Sequence, residues 1–206
     1  MNILFIGDIV GRAGRDATKQ IVPQLKKDHK LDLIIANGEN LAHGSGMTPK
    51  TYNEMRDCGI DFFTTGNHIY KHKDIFPKME KEDTKIIRPA NFPPGNIGKG
   101  YQIIDKNGKK ILIINLIGRV FMNRDYDCPF RKIDEILEEY KKEKLDGILV
   151  DLHAEATSEK AALKHYLDGR ISALFGTHTH IPTADAEVTK KGLAYITDVG
   201  MVGPTD

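Results

Sequence analysis

The run Ile171-Ser172-Ala173-Leu174-Phe175 passes directly into Gly176-Thr177-His178-Thr179-His180-Ile181-Pro182. A short apolar run bounded by glycine and proline reads as a buried strand that delivers a polar loop at its C-terminal end. On an extended backbone, alternation sends His178 and His180 to one face and Thr179 aside, so both imidazoles can aim at one small volume. Loop histidines are common on protein surfaces, so the pair becomes a metal site only in company with other ligands.

That company lies upstream. Ile3-Leu4-Phe5-Ile6 ends in Gly7-Asp8, residues 31–36 end in Asn37-Gly38-Glu39-Asn40, and residues 60–65 end in Gly66-Asn67-His68. Gly147-Ile148-Leu149-Val150 leads into Asp151-Leu152-His153. Helices are expected between these runs: one along Ala17, Ile21 and Leu25, one from Thr48-Pro49 to about Cys58, and one from Thr157 through Leu167. Strands alternating with helices predict an α/β fold with parallel pairing. Asn107-Gly108 and Lys190-Lys191-Gly192 each mark a hairpin, so antiparallel strands join the parallel ones. Residues 118–129 read as a polar loop, and Ile133, Ile136, Leu137 and Tyr140 as the buried stripe of a surface helix. After Gly200 to Pro204 no closing element is expected, as in a chain shortened at its C-terminus.

The bulk properties narrow the function. A chain of 206 residues suits one domain with a sizeable core. Thirty basic against 29 acidic residues leave a net charge of +1, which offers no global field for a nucleic-acid polymer but leaves small anions open. Cys58 and Cys128 make no disulfide framework and too little sulfur for a structural zinc site. The N-terminus lacks the basic region of a signal peptide, and no run reaches the roughly 20 apolar residues of a membrane span, so a cytoplasmic protein is expected.

Asp8, Glu39, Asn40, Asn67, His68, His153, His178 and His180 thus all fall at strand ends, where open α/β sheets bind their ligands. Oxygen and nitrogen donors without thiolate suit manganese, iron or zinc, and they are too many for one ion. Two metals sharing a carboxylate would use them all.

Gly7-Asp8, Gly66-Asn67-His68, His153 and Gly176-Thr177-His178-Thr179-His180 resemble, in order, the signature of the calcineurin-like metallophosphoesterases (D-x-H, G-D, G-N-H, H, G-H-x-H). Val10 stands where the first motif has histidine, and Glu39 replaces the bridging aspartate. Those departures, with Gly7-Asp8-Ile9-Val10-Gly11 and Arg88-Pro89-Ala90-Asn91, resemble the YmdB-like branch of that superfamily. The resemblance implies an αββα sandwich, two packed mixed β-sheets flanked by helices, in a single domain over residues 1–206. It implies one metal on Asp8, Glu39, Asn40 and His180, a second on Glu39, Asn67, His153 and His178, and His68 as the acid that protonates the leaving alkoxide. A hydroxide bridging two cations about 3.5 to 4 Å apart could then attack phosphorus in line. By the same resemblance the metals are iron, or else manganese or zinc. The substrate is a 2′,3′-cyclic nucleotide opened to a nucleoside monophosphate, and the chain is a homo-oligomer. The alternatives are a phosphomonoesterase or nuclease on the same site, and a regulatory protein that keeps the metals.

Plainer roles compete. Asp8 could cap the following helix, and His68 could merely orient Asn67. His29, His72 and His165 read as solvated, His43 as pocket-lining or surface, and Arg88 and Asn91 as structural or substrate-facing.

Overall fold

The computed structural model describes residues 1–204. In chain order its elements are β1 (Ile3–Ile6), β2 (Asp8–Ile9), α1 (Gly11–Asp28), β3 (Leu33–Asn37), α2 (Pro49–Asp57), β4 (Phe62–Thr64), α3 (Phe76–Met79), β5 (Tyr101–Lys106), β6 (Lys109–Ile117), α4 (Pro129–Glu139), β7 (Gly147–His153), α5 (Thr157–Leu167), β8 (Ala173–Thr177), β9 (Glu187–Val188), β10 (Ala194–Ile196) and β11 (Met201–Val202). A parallel sheet runs β1-β3-β4, a six-stranded sheet runs β5-β6-β7-β8-β10-β9, and β11 pairs with β2. The six-stranded sheet carries the mixed character: β6-β7-β8-β10 is parallel and the two hairpins add antiparallel edges.

Period-two alternation builds the layers. In β3, Ile34 and Ala36 pack with Val22 of α1 and Met55 of α2, while Leu33 and Ile35 face the other sheet. In β6, Ile111 and Ile113 meet them, and Leu112, Ile114 and Leu116 pack with α4 and α5. The order is therefore helices, sheet, sheet, helices, as expected. Along the shared inner layer the residues turn polar toward the strand ends: Asn37 follows Ile35, Asn115 follows Ile113, Asp151 and His153 follow Leu149, and Thr177 follows Phe175. All five polar residues are buried, so the layer that is dry at one end becomes a hydrogen-bonded polar end wall at the other.

Close packing sets the buried face of α1, and one expectation, about the C-terminal segment, needs correcting. The buried stripe of α1 is Gly14, Thr18 and Val22, and Ile21 is exposed. The helix lies so close to β11 that a Cβ at position 14 would stand 2.1 Å from the Val202 carbonyl oxygen, so small residues, not the larger apolar ones, face inward. Residues 201–202 do form an element: β11 adds to β2 in parallel, Met201 opposite Asp8, and Val202 accepts from the Val10 amide at 2.9 Å. No helix of the described residues is long and apolar enough to cross a membrane.

Candidate metal centre

The eight candidates meet at the polar end of the inner layer, in two touching clusters. One surrounds His153 Nε2, which lies 3.1 Å from Glu39 Oε1, 3.1 Å from Asn67 Oδ1 and 3.0 Å from His178 Nδ1. The other surrounds the Asn40 amide, whose nitrogen lies 3.3 Å from Asp8 Oδ1, 3.3 Å from Glu39 Oε1 and 3.2 Å from His180 Nε2. Glu39 belongs to both. His68 stands beside them: its amide donates to Glu39 Oε2 at 3.0 Å, and its Nδ1 is 3.0 Å from Asn40 Oδ1. Its side chain is 41% exposed, whereas those of Glu39 and His153 are sealed in.

Local structure explains the convergence. Gly66 precedes Asn67 because the chain there passes against the site: a Cβ would fall 2.3 Å from both Glu39 Oε2 and His153 Nε2. Asn115 on β6 accepts from the Thr65 amide at 2.9 Å and so anchors the start of that loop. Asp8 lies in β2 with no exposure, and the residue that caps α1 is Val10, so Asp8 is not the helix cap. Asn37 accepts from the Glu39 amide at 3.1 Å and fixes the turn out of β3.

The histidine pair reaches the site by a different route from the one expected. β8 ends at Thr177, and His178 (φ +100) and His180 (φ +66) sit in the left-handed region, so the segment is kinked and not extended. Thr179 is indeed turned aside, toward Asp198. The Asp198 carboxylate accepts from Thr179 Oγ1 at 2.8 Å, from the Thr179 amide at 3.2 Å and from Lys160 Nζ at 2.7 Å. Its other oxygen accepts from the Gly200 amide at 2.8 Å, and its own amide donates to Thr183 Oγ1 at 3.0 Å. Asp198 thus grips the loop at both ends, and left-handed backbone that costs about 1–3 kcal/mol per residue persists because its surroundings fix it.

A second polar chain supports His153. Thr177 Oγ1 donates to Asp151 Oδ1 at 2.7 Å, so it accepts from His153 Nδ1 at 3.0 Å. That leaves the Nε2 lone pair of the neutral ring facing Glu39, Asn67 and His178, which is how a ligand histidine is oriented. Burial pushes the Asp151 carboxyl up to about 6, against the pull of His153 and of the Thr64 and Thr177 hydroxyls. Burial also lowers the His153 pKa, but Glu39, with Asp8 and Asp151, outweighs it and raises it to about 9. Burial opposes ionisation of Glu39, yet His153 and His68 hold it well below the carboxylate range. His178 is lowered by burial and by His153, and His180 is raised by its contact with Asp8.

The donor set fits metal ions. Glu39, His153 and His178 offer one oxygen and two nitrogens within 4.8 Å of one another. Asn67 joins them with an amide oxygen, and no thiolate is near, a composition for manganese, iron or zinc rather than calcium or copper(I). The other cluster offers Asp8, Glu39, His180 and, once its amide is rotated by 180°, the Asn40 oxygen.

Sequence reasoning passed over Asp151, Thr177, Lys160 and Asp198. Asp151 carried a signal, since it lies two residues before His153 on the same strand face. His72 is not simply solvated, because its Nε2 lies 3.1 Å from the Ser45 carbonyl. His43 is exposed on its loop. Arg88 and Asn91 are structural: Arg88 donates to the Pro89, Ala90 and Asn96 carbonyls, and Asn91 is wholly buried.

A protein from Bacillus subtilis, 2′,3′-cyclic-nucleotide 2′-phosphodiesterase, is 51% identical over 206 residues, covering 100% of this chain and 77% of the relative. The crystal structure of a hypothetical protein from Thermus thermophilus superposes with a TM-score of 0.93 at 46% identity, over 100% of this chain and 78% of the other. That of a phosphatase from Mycoplasma pneumoniae does so with a TM-score of 0.89 at 39% identity, over 97% and 71%. The family model for YmdB-like protein matches residues 4–206, and the chain belongs to that family.

Proposed function

We propose that this chain is a dinuclear metal-dependent phosphodiesterase that opens 2′,3′-cyclic nucleotides to nucleoside monophosphates. The observation that carries the reading is the pair of touching donor clusters joined by Glu39. The Bacillus relative's name supplies the substrate class and the bond, phosphorus to the 2′ oxygen, so the product is a nucleoside 3′-phosphate. Asp8, Glu39, Asn40 and His180 would hold one ion, and Glu39, Asn67, His153 and His178 the other. Iron or manganese best matches the resemblance, and zinc suits the same donors. When bound, two such ions activate water at neutral pH and neutralise charge on the phosphoryl oxygens.

The protein's own groups do the rest. Asn40 meets the His68 ring at Nδ1, at 3.0 Å, which leaves Nε2 to carry the transferable proton of the charged ring. No hydrogen bond from the described residues engages that nitrogen, and the ring is partly exposed, so it is free to donate to the departing 2′ oxygen. Water adds across the P–O2′ bond: its oxygen stays on phosphorus, the 2′ oxygen leaves with a proton from the charged His68 ring, and a proton of the water restores that ring.

The test is hydrolysis of 2′,3′-cyclic AMP by manganese- or iron-loaded protein, with chromatography of the products. Turnover to 3′-AMP is expected, and His68→Ala should lower kcat by about 10²–10⁴-fold while metal content is retained. Absence of turnover in the loaded wild type refutes the reading, and turnover unaffected by His68→Ala refutes the acid assignment.

Metal loading should also depend on pH. His153 holds a proton up to about pH 9 in the metal-free protein, and a cation must displace it, so affinity should rise by about tenfold per pH unit between neutrality and that pKa. For the metal-free fold the sign reverses. A histidine pKa raised above 6.5 adds stability that is complete below that value and disappears as pH rises through about 9. Calorimetric titration with Mn²⁺ in buffers of different ionisation enthalpy counts the protons released; none released at pH 7 contradicts the expectation.

A further inference from the structure

The loop between β6 and α4 is pinned at both ends, its start beside the metal-centre residue His153, and Met122 and Tyr126 pack its inner side on the core. At its start the Gly118 amide donates to the His153 carbonyl at 2.9 Å, and the Arg119 and Val120 amides donate to the buried Glu159 carboxylate at 3.0 and 3.3 Å. Buried Asn91 closes the loop: it donates to the Ile117 and Asp127 carbonyls at 2.8 Å each and accepts from the Ile117 amide at 2.8 Å. Tyr126, near the far end, stacks on Phe92 with ring centroids 5.2 Å apart.

Between these anchors Phe121 is 85% exposed, the most exposed large apolar side chain among the described residues. Its φ of +61 is one that a bulky residue adopts only under constraint. Arg119 and Arg124 flank it, and neither guanidinium enters an ion pair among the described residues; both line a cleft of about 380 Å³ with Tyr126 and Glu159. An aromatic face held in water by a closed loop complements a ligand that has a planar ring.

We infer that residues 118–126 form the arm that binds the nucleobase of the substrate, with Phe121 as its stacking surface. This rests on the cyclic-nucleotide reading above. Stacking on a phenyl ring is tolerant of base identity, so the arm favours nucleotides over base-free diesters without selecting one base.

The experiment compares 2′,3′-cyclic AMP with glycerol 1,2-cyclic phosphate, which has the same five-membered phosphodiester ring and no base. Phe121→Ala should raise KM for the nucleotide by about tenfold, leave its kcat within about twofold and leave both constants for the glycerol ester unchanged. Phe121→Tyr should restore the nucleotide KM. Because Phe121 is exposed, its truncation leaves no buried cavity. Equal effects of Phe121→Ala on both esters, or none on either, overturn the arm while leaving the phosphodiesterase reading intact. A loaded wild type that hydrolyses neither ester overturns both.

Discussion

Glu39→Gln should lower kcat/KM on 2′,3′-cyclic AMP by more than about 100-fold and cost at least one equivalent of bound metal. Losing an outer-shell partner of a metal ligand typically costs about 10–100-fold, and Glu39 is placed as the ligand common to both ions, so its loss should exceed that range. Its carboxylate touches His153, the His68 amide and Asn40, and it is shut off from solvent. Glutamine keeps the volume and one carbonyl oxygen but removes the charge that holds His153 protonated in the metal-free state and would balance two cations in the loaded one. Steady-state kinetics and elemental analysis on the same preparation measure both effects. Full activity with full metal content would show that Glu39 is a structural carboxylate.

The largest effect on stability should come from Lys160→Met. Lys160 and Asp198 are each only 1% exposed and form a 2.7 Å ion pair. Removing one partner strands the other charge in the interior, which costs about 3–5 kcal/mol. For a domain of this size that is a fall in Tm of about 6–20 °C. Met retains most of the stem volume, so the loss would come from the stranded carboxylate rather than from a cavity. Adding Asp198→Asn should recover part of the fall, since two neutral groups replace one uncompensated charge. Thermal melts of the metal-free proteins test this, and a Tm within about 2 °C of wild type for Lys160→Met would contradict it. Asp198 also holds Thr179 between the two histidines, so the single variant should bind metal more weakly even below its melting point.

The strand ends were legible in the sequence because each joins two local signals, a short apolar run and a polar cluster, which carries a glycine at every end but that of His153. Asp8, Glu39, Asn67, His153 and His178 all lie at such ends; Asp8 and His153 are strand residues, while Glu39, Asn67 and His178 are set by the turns that follow β3, β4 and β8. The conformation of the histidine loop was not legible. Nothing in Thr177-His178-Thr179-His180 announces positive φ at two residues without glycine, because the constraint comes from Asp198, nearly twenty positions further on. Lys160 has the look of an ordinary solvated lysine in a charged helix, and only the tertiary structure brings Asp198 to it. β11 stayed hidden for a related reason: two residues between glycines carry no period, and their strand character comes entirely from pairing with β2. The helix along Ala17, Ile21 and Leu25 was legible, but not the face it buries, because close approach to β11 selects the small side through Gly14.

The proposed chemistry depends on two ions bound at adjacent places by separate donor sets. Anomalous diffraction from crystals of protein purified without added metal tests this most directly. Two peaks are expected, one among Glu39, Asn67, His153 and His178 and the other among Asp8, Glu39, Asn40 and His180, about 3.5 to 4 Å apart. A single peak, or none after soaking in Mn²⁺, would contradict the dinuclear site and with it the proposed chemistry.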